Sequence, residues 1–159
     1  MLIGDPRKFA IWFDSVESWS DERFRNGCFS YFIGGEIIFS TRSTIDVDIN
    51  GLRNFSCLKN SIENELLFNL SACQAYDRLY EITFPSIESG NVNDFSYYVT
   101  TESLSDDGYS VFLVEFESKA KLIFGRAEGV GNIGEFFLDR GEFQLVVSKV
   151  LENKNDLMG

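Results

Sequence analysis

Apolar positions alternate almost from the start of the chain. Across residues 8–17, Phe9, Ile11 and Phe13 share one side of a two-residue period, which predicts a strand. Residues 27–33 and 36–41 predict two more. They flank Gly34 and Gly35, a pair that accepts the positive φ values of a tight hairpin turn. The expected product is a three-stranded meander.

Beyond Asn60 the period lengthens. Ile62, Leu66, Leu70, Cys73 and Tyr76 recur at spacings of four, four, three and three, which predicts one helix with one apolar stripe. Asn60 and Glu63 are spaced as a capping box for it. Pro85 and Gly90 mark a loop. Residues 94–101 alternate again, with Phe95, Tyr97 and Val99 on one face. Residues 109–117 are apolar on both faces near their middle, as in a strand inside a sheet, and 119–125 return beside them. A closing helix is expected over residues 140–153. Asp139 and Glu142 stand as its cap and N3, and Phe143, Val146, Val147, Val150 and Leu151 as its buried face. These elements predict an α+β fold: an antiparallel sheet of about six strands with two or more helices packed against it. No repeat or linker divides the chain, so a single domain is expected over residues 1–159, with 152–159 as a frayed tail.

Composition refines this picture in three places. Sixteen Phe in 159 residues call for a bulky core. The odd set of Cys28, Cys57 and Cys73, in apolar contexts, reads as free buried thiols of a reducing cytosol. The first residues lack the basic leader and apolar run of a signal peptide, and no apolar stretch approaches the about 20 residues of a membrane span. A cytoplasmic protein is expected.

The net charge of −11 disfavours nucleic acid, whose phosphates need Lys and Arg, and anionic membranes. It suits a basic protein partner. The charge is concentrated: residues 79–118 contain Glu81, Glu88, Asp94, Glu102, Asp106, Asp107, Glu115 and Glu117 but no Lys or Arg. Such a stretch solvates a surface, and it also steers a cationic partner.

There is no histidine. Histidine acid–base catalysis, Ser-His-Asp and Cys-His nucleophiles and His-ligated zinc are therefore excluded. Three strings resemble sites. Gly129, Gly131 and Gly134 match G-x-G-x-x-G, but neither a long helix nor a parallel strand is expected after them, as a dinucleotide site needs. Asp46, Asp48, Asn50 and Gly51 copy the first half of a calcium loop, yet Cys57 stands where the closing Glu belongs. Glu115 and Glu117 have the spacing of a carboxylate pair on one side of a strand, a spacing that a solvent face also produces. No catalytic residue, metal or cofactor is expected.

The segments from Ile3 to Pro6 and Phe9 to Ile11, then Trp19, then Gly27 to Ile33 and Gly35 to Ile37, resemble the immunity protein 42 family of bacterial polymorphic toxin and contact-dependent inhibition systems. The tail, with Gly141, Phe143 and an amphipathic helix, is similar to the ends of several immunity families. The resemblance implies a cytoplasmic protein that binds and blocks a toxin domain, a nuclease in many such systems, whose cleft is cationic. It supplies no active-site motif. The expected toxin contacts, chosen from the cation-free stretch, are Glu88, Asp94, Glu102, Asp106 and Asp107, with Tyr97, Tyr98 and Tyr109 as aromatic anchors. The rival readings are a small-ligand or calcium-binding domain, a carboxylate-based enzyme, and an adaptor with no toxin partner.

Overall fold

A computed structural model describes residues 1–126 and 131–157. Its regular elements are the strands Leu2–Asp5 (β1), Phe9–Ser15 (β2), Asn26–Ile33 (β3) and Glu36–Thr44 (β4), and then the helices Ile45–Leu52 (α1), Glu65–Asn69 (α2), Ala72–Thr83 (α3) and Glu102–Asp106 (α4). Tyr109–Phe116 (β5), Lys119–Arg126 (β6), Gly134–Asp139 (β7) and the helix Glu142–Leu157 (α5) follow. This is the expected α+β class. The described strands form two antiparallel sheets rather than one, β1-β2-β3-β4 and β5-β6-β7. The described residues group into two compact units. One combines Met1–Asn54, Thr101–Asp107 and the chain from Gly141 on; the other combines Phe55–Thr100 with Gly108–Arg140.

In the first unit the meander forms as expected. β2 and β3 pair from Phe9↔Ile33 to Ser15↔Gly27, and the turn to β4 places Gly34 at φ 58° and Gly35 at φ 86°. Phe9, Ile11, Phe13, Phe29, Tyr31 and Ile33 fill the inner face, against which α5 packs along β2. Phe9 and Phe143 bring their rings to 4.7 Å, and Val147 and Val150 are fully buried. Three elements of this unit were not anticipated, β1, α1 and the short α4. β1 runs along β2, with Gly4 at φ 103° where a Cβ would lie 2.5 Å from the Phe9 carbonyl oxygen. α1 buries Ile45, Ile49 and Leu52 and carries Asp46 and Asp48 in its first turn, where the helix dipole favours anions.

α5 begins at Glu142, after Gly141 at φ 97°, and runs to Leu157, past the expected end at 153. Asp139 does not cap it. Asp139 is the last residue of β7, in register with Lys119 and ion-paired to it at 2.5 Å.

In the second unit the single helix expected after Asn60 is two. The chain is extended at Leu70 (ψ 155°) and Ser71 (ψ 160°). Ser71 Oγ accepts from the Gln74 amide at 3.3 Å and caps α3; Asn64 Oδ1 accepts from the Leu67 amide at 3.0 Å and caps α2. A local cap has overridden a longer apolar period. Leu66 and Cys73 consequently face solvent rather than a buried stripe. Ile62 is buried outside any helix: its carbonyl accepts from the Glu115 amide at 3.2 Å. The core of this unit is Leu67, Ala75, Tyr76 and Leu79 against Phe112, Val114 and Ile123.

β5 stands at the end of its sheet, although its apolar sequence suggested an interior strand. Its outer edge is nonetheless paired. Residues 94–101, expected as a strand, contribute one antiparallel bridge, Tyr98↔Phe112, and Glu63 makes a parallel bridge to Glu115. Covering both halves of the edge satisfies its amides and explains why Val111 to Val114 are fully buried. Lys121, with its side chain 3% exposed, donates to the carbonyls of Phe68 (3.2 Å) and Leu70 (2.7 Å) at the end of α2 and pairs with Glu135 at 2.9 Å. It satisfies helix-end carbonyls that lack intrahelical partners.

Candidate protein-binding surface

The eight residues expected to meet a toxin divide between the units: Glu102, Asp106 and Asp107 fall in the first, Glu88, Asp94, Tyr97, Tyr98 and Tyr109 in the second. Each has its own surroundings. Glu102 and Asp106 are exposed on α4. Asp107 ends that helix and accepts from the Arg42 guanidinium, Nε at 3.1 Å and Nη2 closer still. Its charge is therefore matched within the protein, and Asp107 raises the Arg42 pKa by that hydrogen bond.

Tyr97 and Tyr109 are half-buried and engaged internally. The Tyr97 hydroxyl accepts from Asn64 Nδ2 at 3.1 Å. Arg126 lies 4.4 Å from the centre of the Tyr109 ring and donates to its hydroxyl at 3.0 Å. Tyr98 stands edge-to-face with Phe84, ring centres 5.4 Å apart, and contacts Phe95 at 5.8 Å.

Glu88 and Asp94 are exposed in the loop after α3. That loop is anchored: the Asp94 amide donates to the Ile82 carbonyl at 3.1 Å, and Asn93 Nδ2 to the Thr83 carbonyl at 3.0 Å. Asp94 Oδ1 accepts from the Ser96 amide at 2.9 Å, fixing the following turn. Two open depressions flank α3 and share Glu81. One is lined by Arg78, Ile82, Pro85, Val92 and Asp94, the other by Tyr76, Tyr80 and Phe84.

The apolar members of this surface are not among the residues expected to meet a toxin. Ile87 is fully exposed, Val92 87% exposed and Phe95 half exposed. The signal available was their isolation: Ile87 and Val92 are lone apolar residues among Ser, Glu, Gly and Asn, with no period that would bury them.

The site-like strings resolve differently. The calcium-like string is helix α1, and its oxygens are engaged separately. Asp46 pairs with Arg25 Nη2 at 2.6 Å, Asn50 Oδ1 accepts from Lys154 at 2.6 Å, and buried Asp48 binds Ser43 and Ser103. The glycine string lies partly outside the described residues, and Gly134 opens strand β7 rather than a helix. Glu115 and Glu117 do not share a solvent face. Glu115 is buried in β5 with Arg140 Nε 3.8 Å away, while Glu117 sits in the following turn at φ 51°. Nor are the three thiols alike: Cys57 is buried, Cys28 half-buried and Cys73 exposed. Among the described residues no helix is long and apolar enough to cross a membrane.

Fold and sequence together define an immunity protein. The chain belongs to the immunity protein 42 family, whose model matches residues 1–153. It is similar to CdiI from Burkholderia dolosa AUO158, known from a crystal structure. The two are 49% identical with a TM-score of 0.93, over 96% of this chain and 99% of that one. No curated protein matches it.

Proposed function

We propose that this protein protects the cell that makes it by forming a tight one-to-one complex with a cognate toxin domain of a contact-dependent inhibition system. It acts in the cytoplasm as a stoichiometric blocker, without turnover and without a cofactor. The observation that carries this reading is membership of the immunity protein 42 family over nearly the whole chain, together with the likeness to CdiI. The net charge of −11 supports a basic partner, and a nuclease domain, whose cleft must hold phosphates, fits that charge. The toxin-facing groups are drawn from the acidic stretch. Glu88 and Asp94 suit the role better than Asp107, which already faces Arg42.

The test is co-expression with the C-terminal domain of the toxin encoded immediately upstream. Growth rescue together with nanomolar or tighter binding of the purified pair by titration calorimetry is the expected result. No rescue and no binding would overturn the reading.

A further inference from the structure

We infer that the surface formed by the end of α3 and the loop folded back on it, residues 81–95, is where the toxin domain docks, and that this domain presents an apolar contact ringed by Lys and Arg. The inference rests on the toxin-blocking reading above and adds the surface and the chemistry of its partner.

Two observations carry it. Ile87 and Val92 are 100% and 87% exposed, so neither contributes to this protein's own core. They are nevertheless carried on a fixed base. The loop is hydrogen-bonded back to Ile82 and Thr83, and Phe84 meets Phe95 edge-on at 5.8 Å. An apolar surface held in place before binding loses little entropy on docking. The second observation is the border. Glu81 and Asp94 line one depression with Val92, where Arg78 also stands, and Glu88 follows Ile87 in the chain, in a stretch with no Lys or Arg from residue 79 to 118. An apolar centre with a charged rim is the anatomy of a specific interface. With three carboxylates against the one Arg78, this border is net acidic, so it is repelled by an acidic partner and attracted by a cationic one, which selects the occupant.

The outer face of the first sheet is also apolar, with Leu2, Ile37 and Phe39 about half exposed. It carries little charge with which to choose a partner, and so serves as the control surface.

The experiment measures binding of the upstream-encoded toxin domain to the intact protein and to three variants, at low and high salt. Ile87→Ser combined with Val92→Ser should weaken binding at least tenfold at both salt concentrations. Glu81→Lys combined with Glu88→Lys should slow association at least tenfold at low salt and flatten its salt dependence. Phe39→Ser should bind as the parent does. All of these side chains are substantially exposed, and a thermal melt of each variant checks that it folds. Parent-like binding by both loop variants, or a loss confined to Phe39→Ser, overturns this surface while leaving the toxin-blocking role intact. Failure of the unaltered protein to bind overturns both.

Discussion

Asp48 of α1 caps a helix to which it does not belong. Its Oδ1 accepts from the Ser103 amide at 3.0 Å and its Oδ2 from the Ser103 hydroxyl at 2.5 Å. Ser103 lies in the first turn of α4, whose own N-cap, Thr101, makes no side-chain capping bond. A short helix with uncapped amides is thus completed by a carboxylate from a residue 55 positions earlier. Ser43 of β4 donates to the same side chain, so one buried carboxyl group joins three elements of the first unit.

Replacing Asp48 by Ala should leave the Ser43 and Ser103 donors buried without their acceptor. Each such loss costs about 1–3 kcal/mol, so a fall in unfolding free energy of at least about 2 kcal/mol is expected in urea titration. Asp48→Asn keeps an acceptor and should cost less. Equal stability of Asp48→Ala and the parent would show that α4 needs no cap.

The Arg25–Asp46 pair makes stability pH-dependent. The hydrogen bond from Arg25 holds the Asp46 pKa below its ordinary 3.8. A depressed carboxyl pKa stabilises the fold fully above the unfolded value, and that contribution disappears as pH falls through the folded one. Asp46→Asn should therefore lower stability by about 1 kcal/mol or less at neutral pH. The gap to the parent should close in strong acid, as read from urea midpoints at both ends of the range.

The cysteines should separate by reactivity. Burial, reinforced by Glu115, pushes the Cys57 thiol up to about 12, so at mild alkaline pH it carries almost no thiolate. Iodoacetamide followed by mass spectrometry should modify exposed Cys73 first and Cys57 only after unfolding. Early labelling of Cys57 would contradict its placement.

Ser71→Ala removes the cap of α3 and should cost about 1 kcal/mol. Circular dichroism melts should register the loss, while affinity for the toxin domain stays within twofold of the parent. A stability unchanged by the substitution would mean that Leu70, not the cap, sets where the helix begins.

The first unit is assembled from three separated stretches of chain. It cannot close until residues 101–107 and the chain from Gly141 have returned to it, so we expect one cooperative unfolding transition, seen as coincident fluorescence and circular dichroism curves. Two separated transitions would divide the single domain that the sequence suggests.

By itself the sequence determined the local geometry that needs few partners. The alternation of Phe9, Ile11 and Phe13 and the two glycines after Ile33 specified the meander, because strand period and positive-φ turns are properties of neighbouring residues. The α+β class was legible for the same reason, and the family resemblance from the segments near the start of the chain. Tertiary structure decided whatever depends on residues distant in the chain. The split of the run from Ile62 to Tyr76 into two helices combines both: the caps at Asn64 and Ser71 are local, whereas the Lys121 ammonium that holds the end of α2 comes from 51 positions beyond Leu70. That Asp107 and Asp46 are ion-paired within the protein was decided by Arg42 and Arg25, which face them. The exposure of Ile87 and Val92 arises because the loop folds back and leaves them on its outer side. Their isolation among polar residues hinted at it, but burial is a property of the assembled surface, which only the fold completes.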